Sequence, residues 1–275
     1  MSEITSHCNC CINKLFLESC KTDDIQKVIA CVTLNVDVNF RDNEGKSALN
    51  HVCSKNSKDC LEFLLSQPDI DVNIKAKNNA TPLIISCYNG YSDIAWRLCQ
   101  EPTINLNCQD NYKGCTAAAM AVFWNKINCV NVLKNVDGVD WNIPTKNGNS
   151  PAMLAARKGH ADILNILLSI PSIKLDWKNK AGHHITHVAV ESDIGGDIKE
   201  SFNENDPPVD PMRCLEILSK DKRVKWNIKN KRGEVPLITA LKKKRVDVIK
   251  ILLKIPEIDT NVSDKFGFTV RQIAE

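Results

Sequence analysis

Residues 73–83 read NIKAKNNATPL and residues 142–153 read NIPTKNGNSPAM. The two stretches share a leading Asn, a lysine-bearing tip, an Asn or Gly, and a hydroxyl residue followed by Pro. Working outward, the same frame recurs at Asn39 (NFRDNEGKSAL), Asn107 (NCQDNYKGCTAA), Asp176 (DWKNKAGHHIT), Asn227 (NIKNKRGEVPL) and Asn261 (NVSDKFGFTV). Successive starts are 34, 34, 35, 34, 51 and 34 residues apart. The 35 comes from one extra residue near Tyr112, and the 51 from an insertion. A fixed period of this length marks a repeat architecture, in which each unit buries its apolar faces only against its neighbours.

Each period obeys one grammar. Gly45, Gly114, Gly148, Gly182, Gly233 and Gly267 close a tight turn, and Asn79 takes that place once; Gly and then Asn best tolerate the left-handed backbone such turns demand. Thr81-Pro82 and Ser150-Pro151 follow, with Val235-Pro236 as a variant. The hydroxyl predicts a helix cap, and Pro suits a first helical position where its missing N–H is not needed. A short apolar helix ends at Gly90-Tyr91 or Gly159-His160, and a second carries an Asp-Ile/Val-x-x-x-Leu-Leu pattern, as at 162–168 and 247–253.

This grammar resembles the ankyrin repeat, a turn followed by two antiparallel helices with a period near 33 residues. The family's Gly-x-Thr-Pro-Leu-His stretch survives at 79–83 and 148–152, and its His stands only at His187. The resemblance covers roughly residues 12–275. It implies an all-α ankyrin-repeat solenoid of helix–turn–helix units with projecting β-turn or hairpin loops: residues 1–11 as a tail, then one domain of about five full units between a divergent first unit and a truncated last one. It also implies a protein-binding scaffold or adaptor that works through turns and inner helices lining a concave face.

Composition agrees with that class. Apolar residues make up 43% and charged residues 25%, and the formal net charge is +3. No apolar run approaches the roughly 18 to 20 residues of a membrane span, and residues 1–9 lack the basic and apolar regions of a secretory signal. Thirteen cysteines, an odd number, fall largely at apolar helix positions. They read as buried free thiols of a reducing compartment, the cytoplasm, with access to the nucleus. The chain is expected to act as a monomer without cofactor, metal, nucleic acid or membrane. No P-loop, paired-glycine dinucleotide turn or Gly-x-Ser-x-Gly is present, so no catalytic residue is assigned.

Charge singles out the turns. The seven turn segments together carry +7, more than the whole chain. Lys75, Lys77, Lys146, Lys178, Lys180, Lys229, Lys231 and Arg232, with Tyr112 as an exposed aromatic, are the candidate partner-binding residues, forming a basic row suited to an acidic protein. The plain alternative is a solubilising surface. Masking of a transcription factor's import segment is the other family-type role, and the basic turns oppose it; a targeting module of a larger enzyme is a third.

Four features compete for attention. The insertion, 192–211, is net −6 from Glu191 to Pro211 and is expected to join two helices of one unit as a loop. His7, Cys8, Cys10, Cys11 and Cys20 invite a zinc reading, but Cys-x-Cys-Cys is the wrong spacing for a finger and no matching second pair follows. His183 and His187 lack the Glu of a His-Glu-x-x-His site, and the resemblance gives His187 a structural role. Lys242-Lys243-Lys244-Arg245 is similar to a nuclear-import signal but falls at a helix junction, while Trp141, Trp177 and Trp226 flank turns and should pack between units.

Overall fold

A computed structural model describes residues 9–192 and 208–274, with side chains from residue 11. The central part of the insertion, 193–207, and His7 and Cys8 lie outside the described residues. Those residues hold fifteen helices and no strand, with isolated bridges only at Arg41–Ser47 and Ser263–Thr269. The helices come as seven consecutive pairs and a single. The pairs are α1 (Asn9–Lys21) and α2 (Ile25–Thr33), α3 (Ala48–Lys55) and α4 (Lys58–Leu65), α5 (Pro82–Asn89) and α6 (Ser92–Cys99), α7 (Ala117–Phe123) and α8 (Ile127–Lys134), α9 (Pro151–Lys158) and α10 (Ala161–Leu168), α11 (Ile185–Val190) and α12 (Pro211–Lys220), and α13 (Pro236–Lys242) and α14 (Val246–Leu252). α15 (Val270–Ala274) follows alone. The sequence suggested about six pairs; the seventh arises because six units headed by a turn are complete and α1–α2 precedes them.

The chain divides into two compact units, residues 1–121 with 128–140, and residues 122–127 with 141–275. In the first, α1, α3 and α5 stack as an inner row and α2 lies on α4. In the second, α9, α11, α13 and α15 form an inner row, and α10, α12 and α14 an outer one.

Local chemistry explains the helix limits. Ser47, Thr81 and Ser150 accept through their hydroxyls from the backbone N–H groups of Asn50, Ile84 and Met153 at 3.3, 3.3 and 3.4 Å. Pro82 and Pro151 fill the first helical positions. Gly90 and Gly159 end their helices at φ 82° and 72°, a region that costs other residues steric strain.

One core position of the outer helices is filled in turn by Cys60, Ile94, Cys129, Ile163, Cys214 and Val248, all at most 1% exposed. A thiol thus replaces an aliphatic side chain, as the cysteine reading requires. The thiols of Cys20, Cys31, Cys53, Cys60, Cys87, Cys115, Cys129 and Cys214 are buried and not in disulfides. Burial pushes Cys115 and Cys214 up to about 12, which suppresses the reactive thiolate. Trp141 and Trp226 are buried as expected, and Trp177 donates its indole N–H to the carbonyl of Gly148 at 2.7 Å.

A side-chain clamp joins consecutive repeats. The carboxamide of Asn39 donates to the carbonyl of Asp69 at 2.7 Å and accepts from the N–H of Asp71 at 2.9 Å. Asn73, Asn107, Asn142 and Asn227 repeat the pattern, each bonding a carbonyl 30 or 31 residues on and an N–H 32 or 33 residues on. Asp176 holds that place before the insertion; a carboxylate has no hydrogen to donate. There Arg223 ties back instead, donating to the carbonyl of Leu168 at 2.7 Å.

Candidate functional site

The turns that head each pair are held from within and by one another. In the first unit, the N–H of Lys77 donates to the carbonyl of Glu44 at 3.3 Å, and the N–H of Asn111 to that of Asn78 at 2.8 Å. In the second, the N–H of Lys180 donates to the carbonyl of Asn147 at 3.1 Å. A Cβ added to Gly148 would sit 2.8 Å from the nitrogen of Lys180, and one on Gly182 2.9 Å from that of Lys231. The turn glycines therefore meet two demands, a positive φ and the close approach of the next turn.

Within each unit, the structure brings these turns together. Lys75, Lys77 and Tyr112 belong to the first unit; Lys146, Lys178, Lys180, Lys229, Lys231 and Arg232 to the second. All nine are exposed. Lys178 donates from Nζ to the carbonyl of Lys229 at 3.3 Å, and Lys231 to the carbonyl of Lys180 at 2.6 Å. These bonds order two ammonium groups without cancelling their charge. Among the described residues, no carboxylate makes an ion pair with Lys75, Lys77, Lys178, Lys180, Lys229, Lys231 or Arg232.

Tyr112 stands on the one lengthened turn. Asp110 accepts four backbone N–H groups, from Tyr112 and Lys113 at 2.7 Å, Gly114 at 3.1 Å and Cys115 at 3.2 Å. Its buried carboxylate closes the loop that the extra residue opens, leaving the Tyr112 ring 76% exposed.

Two signals escaped the sequence reading. The turn at 262–267 sums to no net charge, yet Lys265 occupies the tip register of Lys77, Lys146, Lys180 and Lys231. Comparing register rather than segment charge would have found it. Phe266 and Phe268, 70% and 54% exposed, also went unremarked.

The histidines near 183–187 have structural partners. His187 donates from Nε2 to the carbonyl of Glu234 at 2.9 Å and accepts on Nδ1 from the N–H of His184 at 3.3 Å. Burial first of all lowers the pKa of both His184 and His187 to about 4. His183 pairs with Glu191 at 3.1 Å. Among the described residues, no three His, Cys, Asp or Glu side chains converge as a metal site, and no helix is long and apolar enough to cross a membrane. Lys242 bridges Glu234 at 2.9 Å and Asp264 at 2.8 Å, and Arg245 pairs with Asp247, so the tetrabasic run is partly neutralised. The described ends of the insertion lie between α11 and α12, as expected. Ser192 is held by Arg245 at 2.7 Å, and the N–H of Asp210 donates to Gly159 at 2.7 Å.

Repeated paired helices, turns docked on glycine and an asparagine clamp in register define the architecture, and comparison with known proteins gives it a family. A family model described as ankyrin repeats in three copies matches residues 8–110, 70–143 and 118–199. The chain belongs to the ankyrin-repeat family. It is 24% identical over 191 residues to the ankyrin repeat protein YahD of Escherichia coli (strain K12), covering 56% of this chain and 94% of that one. It is 35% identical over 82 residues to the mouse SMC5-SMC6 complex localization factor protein 1, or 29% of this chain and 8% of the relative. Over 169 residues it is 29% identical to poly [ADP-ribose] polymerase tankyrase of Caenorhabditis elegans, 49% of this chain and 7% of the relative. Ankyrin repeats generally mediate protein–protein interaction.

Proposed function

We propose that this ankyrin-repeat chain is a non-catalytic scaffold that holds an acidic protein partner by its turn tips, acting in the cytoplasm with access to the nucleus. One observation carries the reading: exposed cations recur in register on rigidly docked turns, and no carboxylate of the described residues offsets those named above. Uncompensated charge in a fixed array raises association rates with a partner of opposite sign, and like-signed competitors are repelled. Masking of a basic import segment is disfavoured for the same reason.

The test is a partner captured at two salt concentrations and then measured in purified form. Lys180→Gln, Lys229→Gln and Arg232→Gln together remove charge and leave the two inter-turn lysine bonds in place. The association rate should fall and its salt dependence flatten, with the melting temperature nearly unchanged. An unaltered association rate would reduce the basic turns to a solubilising surface.

A further inference from the structure

Two neighbouring turns of the second unit hold the densest charge in the row. Residues 177–182 carry +2 and residues 228–233 carry +3, the largest total of any two successive turns. The turns are docked: a Cβ added to Gly182 would lie 2.9 Å from the nitrogen of Lys231 and 2.7 Å from its Cγ. The five cations, Lys178, Lys180, Lys229, Lys231 and Arg232, are all exposed. Glu234, which follows the second turn, is 8% exposed and bound to Lys242. Asp176, which precedes the first turn, pairs with none of the five.

The two turns exchange lysines. Lys178 reaches from the first turn to the carbonyl of Lys229 in the second at 3.3 Å, and Lys231 reaches back to the carbonyl of Lys180 at 2.6 Å. Each bond occupies one N–H of an ammonium group that has three, so each keeps two donors for a ligand. Two like charges that free stems would spread apart are drawn onto one junction. Part of the ordering cost of binding is thereby met before a ligand arrives.

This arrangement selects the kind of anion. A carboxylate brings a single charge and two oxygens. A phosphoryl group brings about −2 at neutral pH and three acceptor oxygens, enough to take donors from both turns at once. Lys and Arg donate to it through charge-assisted bonds. Single-stranded nucleic acid also offers phosphates, but its binding sites add aromatic rings on which bases stack. Trp177, the only aromatic residue of the two turns, is half-buried, and its indole N–H is bound to the Gly148 carbonyl.

We propose that the junction of turns 177–182 and 228–233 holds a phosphorylated segment of a partner protein. Lys178 and Lys231 donate to the phosphoryl oxygens, and Lys180, Lys229 and Arg232 neutralise its charge. The proposal rests on the basic-turn reading above and narrows the acidic partner to a phosphorylated one.

Fluorescence anisotropy on the full chain tests it with three probes. The first is a 12-residue peptide alternating Glu and Ser with one central Ser phosphorylated. The second is an unphosphorylated peptide of equal charge, in which two further Ser are replaced by Glu. The third is a 12-residue oligouridylate. The phosphopeptide should bind about tenfold tighter than its equal-charge counterpart, because its charge is concentrated on one group that reaches both turns. Lys178→Gln with Lys231→Gln should erase that gap, and Lys178→Arg with Lys231→Arg should keep much of it. Lys180→Gln with Lys229→Gln should weaken both peptides. Equal affinity for the two peptides, with both weakened by this last variant, overturns the phosphate seat and leaves the basic-turn reading intact. Equal affinity untouched by that variant, or failure of both peptides to bind, overturns both. A gap that survives Lys178→Gln with Lys231→Gln overturns the assignment to this junction. Binding of the oligouridylate that is tighter than that of the phosphopeptide, and is lost in the same variant, overturns the peptide in favour of nucleic acid.

Discussion

Asn73 donates its side-chain amide to the carbonyl of Thr103, 30 residues away, at 2.8 Å. Its carboxamide oxygen accepts from the N–H of Asn105 at 2.7 Å. One side chain thereby satisfies a donor and an acceptor in the loop that opens the next repeat, and the arrangement recurs wherever that Asn is retained before a 34- or 35-residue spacing and a complete following loop. The carboxamide presents a separate donor and acceptor side by side on one short stem.

Asn73→Ala and Asn73→Asp should therefore each lower stability, by about 1–2 kcal/mol for two partly exposed hydrogen bonds. The carboxylate should do no better than alanine, because it cannot donate to Thr103. Urea unfolding midpoints decide the matter, and an Asp variant matching the native protein would refute the clamp.

The turn glycines should separate into two classes. Gly148→Ala combines a φ of 79° with a Cβ only 2.8 Å from the nitrogen of Lys180, whereas Gly267→Ala has a φ of 86° and open space. The first should cost clearly more than the second, for which backbone strain of about 1 kcal/mol remains. Thermal melts of the two variants giving equal losses would mean that turn docking adds nothing.

Acid should weaken the fold through His184 and His187. Both are held neutral, with folded pKa values lowered from 6.5 to about 4 by burial. The unfolded chain takes up protons first, so stability is intact above pH 6.5 and falls as pH drops from 6.5 toward 4. The loss is of the order of 3 kcal/mol per imidazole as an upper bound. His187→Asn should flatten this slope in denaturant titrations at stepped pH; an identical slope would assign the acid sensitivity to other groups.

Thiol reactivity should follow burial. At pH 8 the native protein should react rapidly with a disulfide reagent at only a minority of its thirteen cysteines, since thiols of raised pKa yield little thiolate. In denaturant without reductant, all thirteen should titrate. A shortfall there would reveal disulfides and contradict the reducing compartment.

The sequence by itself determined the repeat, its length and the order of turn, inner helix and outer helix, because these depend on local chemistry. Gly supplies a backbone conformation, Ser or Thr before Pro supplies a helix start, and apolar spacing supplies a buried face. It also placed the turn cations, since register is read along the chain. Tertiary structure alone decided what each turn meets. Asn39 and Asp69, Lys231 and Lys180, and Lys242 and Asp264 are apart in sequence, and their pairing depends on how one repeat is set against the next.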